Sequence, residues 1–236
     1  MPLPNLNEVQ PEYEMVVPST KQSVKFRPFL VKEQKNLLIA LESKDMKQII
    51  NATLNNIETC VKDTKVNDLS VTDVDYMFTQ IRAKSVGETI ELNGPCTKCD
   101  AVTPVKVDFS KINVTDPPDS LIELAKDLKV QMRQPTYQMM LESDIIMDDK
   151  MPMVHKMFEN VKNCMSIVYY GDEQIDLREE TKEEIERFVE SLTAEQLQLL
   201  VGYIEELPTL KQTVKFKCEK CEADNTLLLE GLQDFF

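Results

Sequence analysis

Two phrases of this sequence carry the residues best suited to chemistry. GPCTKCDA occupies residues 94–101 and FKCEKCEA residues 216–223. Each reads C-x-K-C, then an acid, then an alanine. Two thiolates in C-x-x-C on a tight turn supply two corners of a tetrahedron around zinc. One such turn is half a site, and two turns facing each other complete it. The candidate metal ligands are therefore Cys96, Cys99, Cys218 and Cys221. Lys98 and Lys220 stand beside them to offset the charge of four thiolates around a dication. With sulfur at all four positions no place remains for water, so the expected site is structural: one zinc per chain. The two pairs stand much farther apart than the roughly 15–20 residues of a compact ribbon. Other readings stay open on the residues alone: metal-free turns, disulfides formed on oxidation, or a redox pair. A redox C-x-x-C opens a helix, whereas these pairs turn between strands. Open too is whether the two turns meet within one chain or between two.

Other chemistry is poorly served. The one histidine, His155, lies in PMVHKMF on a Met-rich helix. A Ser/His/Asp or Cys/His mechanism would have to use it, and Cys164 falls nine positions on, off its face. There is no G-x-G-x-x-G and no Walker loop among only five glycines. The acidic runs MDDK, DEQID and EETKEE lack the periodicity and the loop glycine of a calcium site, and read as solvated faces. No active site emerges, and the chain is expected not to be an enzyme. Cys60 and Cys164 sit in apolar helical contexts and read as buried structural thiols. Met139, Met140, Met147, Met151, Met153 and Met157 are either core or a groove for docking a helix. Phe235 and Phe236 either tuck back over the second cysteine turn or insert into a partner. Met151, Met157, Phe235 and Phe236 are the candidate partner-binding residues.

The totals bound what the chain is. It has 236 residues, 42% hydrophobic and 29% charged, as expected of a soluble globular protein with a real core. The net charge of −14 argues against a general nucleic-acid binder, which carries a basic face, and favours basic partners. The basic stretch VKFRPFLVKEQK reads as a strand running into a solvated helix. No apolar run approaches the roughly 20 residues of a membrane helix. The start, MPLPNLNEVQPEYE, has neither the basic region nor the apolar core of a secretory signal. A reducing compartment is therefore expected, where six cysteines stay thiols.

The elements that must position the cysteines follow from pattern. After a Pro-rich arm over residues 1–11, YEMVV and QSVKF alternate as strands about a turn at Pro18 and Ser19. Helical periodicity runs from about Val31 to Val61, broken at ESKD with Asp45 as N-cap. SVTDVDYMFTQIRAKS is a third helix, with Thr72 as its cap. Ile90 and Leu92, then Val102, Val105 and Val107, flank the first cysteine pair as strands. DPPDS at 116–120 is a linker, and LIELAKDLKVQMRQPT reads as two short strands. Residues 136–165 are helical around an acidic loop, SIVYYGDEQIDL is a hairpin about Gly171 and Asp172, and two helices follow. Thr181 with Glu184, and Thr193 with Gln196, make capping boxes for them. The chain then gives strand, C-x-x-C and strand again. The expected fold is α+β: helices with β-hairpins, and two strand–CxxC–strand zinc-ribbon halves joined in one four-cysteine site.

The cysteine phrase belongs to a longer echo. From Leu69 to Cys96, and from Leu192 to Cys218, the order is capped helix, break, strand and cysteine turn, with spacings one residue apart. This suggests an ancestral duplication. It divides the chain into residues 1–112 and 113–236, which a shared zinc would join as one cooperative unit.

Three longer phrases resemble a known family. VKFRPFLVKEQKNLLIALES, RAKSVGETIEL and LLLEGLQDFF are similar to the baseplate hub assembly proteins of T-even-like contractile-tailed bacteriophages. The resemblance spans nearly the whole chain and is weakest over residues 113–165. It implies a late viral protein that acts in the host cytoplasm during assembly, as a virion hub component or an assembly factor. The implied partners are other baseplate hub or tail proteins, and the implied action is binding without catalysis. The rivals are a zinc-ribbon adaptor of nucleic-acid machinery, against which the charge stands, and a redox protein.

Overall fold

The computed structural model of this chain describes residues 10–109, 112, 114–143, 145 and 150–230. Most of the expected N-terminal arm, Met147, and the Phe235–Phe236 pair lie outside the described residues. Helices and antiparallel hairpins are mixed, so the fold is α+β. The chain resolves into two compact units. One gathers residues up to 66, then 72–115, and the chain from 209 on; the other holds 67–71 and 116–208.

The first unit opens with a hairpin of β1 (Tyr13–Val16) and β2 (Ser23–Phe26), tightened where Lys21 adopts φ 55° and donates to the Val17 carbonyl. Helix α1 (Val31–Ser43) follows. Glu33 reaches back to the Leu30 amide at 2.8 Å, the return half of a capping box. Helix α2 (Met46–Cys60) starts at Asp45, whose carboxylate accepts from the amides of Lys47 and Gln48. The break and cap expected from ESKD are thus present. Helix α3 (Val71–Val86) begins before the expected cap, so Thr72 lies in its first turn. Val71 instead donates to the Pro135 carbonyl, and Ser70 bridges to Thr136; pairing distant in sequence sets this start. Ile57, Val74, Met77, Phe78 and Ile81 are fully buried, and Phe29 stacks at a tilt on Phe78.

Two further hairpins complete this unit. Strand β3 (Thr89–Pro95) pairs with β4 (Val102–Asp108), and β9 (Lys211–Lys217) with β10 (Asp224–Glu230). Their apolar faces share one cluster around Val107, Phe109, Leu210 and Leu229, to which α3 adds Ala83 and Tyr76.

The second unit is a meander of four antiparallel strands, β5 (Leu121–Ala125), β6 (Leu128–Met132), β7 (Met165–Tyr170) and β8 (Glu173–Asp176), in sequence order. The tight turn between the last two uses Gly171 at φ 58°. Its helices are α4 (Tyr137–Glu142), α5 (Met153–Cys164), α6 (Lys182–Glu190) and α7 (Ala194–Glu205). Both expected capping boxes form, at Thr181 with Glu184 and at Thr193 with Gln196. Val130, Met132, Val161, Cys164, Met165 and Leu200 make the core. Among the described residues no helix is long and apolar enough to cross a membrane.

Candidate metal centre

Each C-x-x-C closes the tip of a hairpin, and the two tips are built alike. In the first, Cys96 donates its amide to the Ala101 carbonyl at 2.9 Å, and Asp100 donates back to the Cys96 carbonyl at 3.0 Å. In the second, Cys218 donates to Ala223 at 3.0 Å and Glu222 to Cys218 at 2.9 Å. Asp100 and Glu222, the acids of the repeated phrase, both take the left-handed conformation, at φ 53° and 57°. The turn needs that conformation, and an aspartate tolerates it better than most residues that carry a Cβ.

The hairpins bring their tips together. Cys96 Sγ lies 3.6 Å from Cys221 Sγ, and Cys99 Sγ lies 3.7 Å from Cys218 Sγ. All four sulfurs fall within 4.8 Å of one another. A tetrahedron with sulfurs about 2.3 Å from zinc has edges of about 3.8 Å, so the donor set and its spacing fit a metal ion. Cys96 and Cys218 are almost fully buried, at 1% exposure each, while Cys99 and Cys221 are half-buried. Among the described residues this is the cluster of metal-ligating side chains compact enough to share an ion.

The thiols do not hold their protons equally. The Lys98 amide, 3.4 Å from Cys96 Sγ, leads the groups that bring Cys96 down to about 6, against the opposing pull of burial. Cys218 is lowered as well, first by the amides of Cys221 and Lys220. Cys221 stands at about 12: the Ala223 amide alone would lower it, but Cys99, burial, Cys96 and Cys218 together outweigh that amide. Thiolate character therefore develops within the quartet, and an incoming cation would displace the remaining protons. Lys98 and Lys220 are exposed, and Lys98 serves Cys96 through its backbone N–H. Cys60 and Cys164 are inert by contrast. Burial pushes them up to about 11 and about 12.

Contacts between the hairpins were not legible in the sequence. Gly94 on β3 is buried, and a Cβ there would come within 2.8 Å of the Phe216 ring on β9 and of Val105 Cγ2. The absent side chain lets the second hairpin's aromatic lie on the first hairpin's backbone. Thr103 and Asn225, both buried, also cross between the hairpins.

The other candidates scatter. Met151 lines a groove of about 600 Å³ in the second unit with Val154, His155 and Phe158 of α5, Val189 of α6 and Leu197 of α7. Met157 is half-buried on α5 and does not line that groove. The residues that line the groove along with His155 are apolar side chains, the carboxylates Glu159, Glu186 and Glu190, and Lys162.

A family model described as "T4 bacteriophage base plate protein" matches residues 10–236. The chain is 22% identical over 225 residues to the "Baseplate hub assembly protein gp26" of Enterobacteria phage T4, across 95% of this chain and 98% of that protein. No solved structure matches it.

Proposed function

We infer, from the premise that this chain belongs to the T4 bacteriophage base plate protein family, that it helps build the baseplate hub of a contractile-tailed phage. Its work is to bind other hub or tail proteins in the host cytoplasm, without catalysis. The observation that carries this is the extent of the relationship: 95% of this chain aligns with 98% of a baseplate hub assembly protein. The non-catalytic reading is supported by the compact cysteine cluster found among the described residues, since four thiolates around an ion leave no position for a substrate. That quartet holds one structural zinc per chain, formed within the chain. Met151, in its groove on the second unit, is the first surface to test for partner contact, followed by Met157, Phe235 and Phe236. A nucleic-acid adaptor role is not favoured by the family or by the net charge of −14.

The test is a phage with this reading frame interrupted. Electron microscopy of its lysate is expected to lack complete baseplates, and the chain supplied from a plasmid to restore them. Complete, infectious tails without the chain would overturn the reading. Mass spectrometry of purified particles then separates a retained hub component, present at stoichiometric level, from an assembly factor that leaves.

A further inference from the structure

We propose that Thr103 and Asn225 are positioning residues of the metal centre, each reaching from one hairpin to hold the cysteine turn of the other. The inference rests on the metal reading above and names what sets the four sulfurs in register.

The two contacts are reciprocal. Asn225, at the start of β10, accepts on Oδ1 from the Thr97 amide at 3.0 Å and from the Thr97 hydroxyl at 3.0 Å. Thr103, at the start of β4, accepts on Oγ1 from the Glu219 amide at 3.2 Å. Thr97 and Glu219 each follow the first cysteine of their pair, and Thr103 and Asn225 each stand four residues after the second. The exchange obeys an approximate two-fold relation between the hairpins. Both acceptors are buried, at 4% and 7% exposure. Breaking either bond in place would leave a buried acceptor oxygen without its donor, which is costly.

Asn225 does more than Thr103. Its Nδ2 donates to the Ala223 carbonyl at 2.8 Å and lies 3.5 Å from Cys96 Sγ. The reverse orientation of the carboxamide would set its nitrogen against the Thr97 amide and its oxygen against the Ala223 carbonyl, so these two partners fix which way it faces. One side chain thereby orients the opposite turn, its own turn and a ligand sulfur. Phe216 lying on Gly94 adds a packing contact beside the same junction. With these contacts made first, the ion enters a preformed site and does not have to gather two loose loops, so less is lost on binding.

The experiment uses the full reduced chain, stripped of metal. Cobalt(II) titration reads the four-thiolate charge-transfer band, and zinc affinity is read against a chromophoric chelator. Asn225→Ala and Thr103→Val are expected to keep the band and one ion per chain but to bind zinc at least about tenfold more weakly, the alanine variant more so. Thr103→Ser is expected to restore affinity. Wild-type affinity in both the alanine and valine variants would overturn the proposal. Amide exchange of the metal-free chain gives a second readout. Asn225→Ala should expose the Thr97 amide and Thr103→Val the Glu219 amide, with unchanged protection of the four-stranded sheet reporting that each variant is folded. Should the wild type bind no ion, the zinc reading falls by itself. The exchange data then decide the clasp, and it is overturned if Thr97 and Glu219 exchange as fast in wild type as in the variants.

Discussion

Four sulfurs spaced like the corners of a zinc–thiolate tetrahedron have a direct chemical consequence at the level of single residues. Protein purified from cytosol without added metal should carry one zinc per chain, and Cys96→Ser or Cys218→Ser alone should abolish stoichiometric binding, measured by elemental analysis. Alkylation at pH 7 mapped by mass spectrometry is expected to spare Cys60 and Cys164 in the native chain, because burial holds them up to about 11 and about 12. Of the other four, Cys96, held down to about 6, should be the first to react, and only once the ion is chelated. The ligands were legible because C-x-x-C between strands is a local signal. Thr103, Asn225 and Gly94 were not, because each takes its role from a residue more than a hundred positions away. Nothing in their own neighbourhood marks them. Thr103 looks like an ordinary strand residue, and Gly94 like a turn glycine.

At the scale of elements, the start of α1 is held by one carboxylate. Glu33, 2% exposed, accepts from the Leu30 amide and, at 3.0 Å, from Arg27 Nη2, while Asn56 donates to its carbonyl at 2.9 Å. Burial pulls its pKa upward, but the hydrogen bonds from Arg27 and Leu30 and the charges of Arg27 and Lys32 outweigh that, leaving it below its ordinary 4.5. A carboxyl lowered on folding contributes stability that is present above its unfolded value and is lost as pH falls through the folded one. Glu33→Gln is therefore expected to cost about 2 kcal/mol at neutral pH. The difference from wild type should shrink as pH drops below 4.5, as followed by denaturant unfolding. Helix starts with their cap in the sequence, at Asp45, Thr181 and Thr193, were readable. The start of α3 was not, because Pro135 and Thr136 determine it. The echo between Leu69–Cys96 and Leu192–Cys218 has the same limit. The hairpins match turn for turn, whereas α3 packs on the hairpin cluster and α7 buries Leu200 and Tyr203 in the core of the second unit.

At the scale of the whole molecule, all four cysteines of the candidate metal centre belong to one unit. Residues 116–208 run between the two cysteine hairpins in sequence, yet the sheet they form has its own core. Chelation is expected to raise hydrogen exchange in β3, β4, β9 and β10 and to leave β5 to β8 unchanged, measured on the intact chain by mass spectrometry. Equal loosening of both would mean that the ion stabilises the entire protein as one cooperative body. The α+β class, the short strands β5 and β6 and the β7–β8 hairpin followed from alternation and turn residues, whereas the β6–β7 pairing joins strands with two helices between them and no local pattern announces it. The grouping of both hairpins into one unit depends on contacts between segments that no periodicity connects.

The reach of those contacts also sets an order of events during synthesis. Cys99 and Cys218, nearly touching in the folded chain, are 119 positions apart. A ribosome adding about 5–20 residues per second needs about 6–24 s to travel between them. Through that interval the nascent chain offers an ion two of the quartet's sulfurs, and a chain broken off anywhere before Cys221 never offers all four of them. A zinc held by the quartet would therefore report translation through Cys221: only a chain read through its second cysteine pair would hold it tightly. A chain cut off before its second hairpin would leave Thr97 without its Asn225 acceptor and the first pair of thiols without the facing pair.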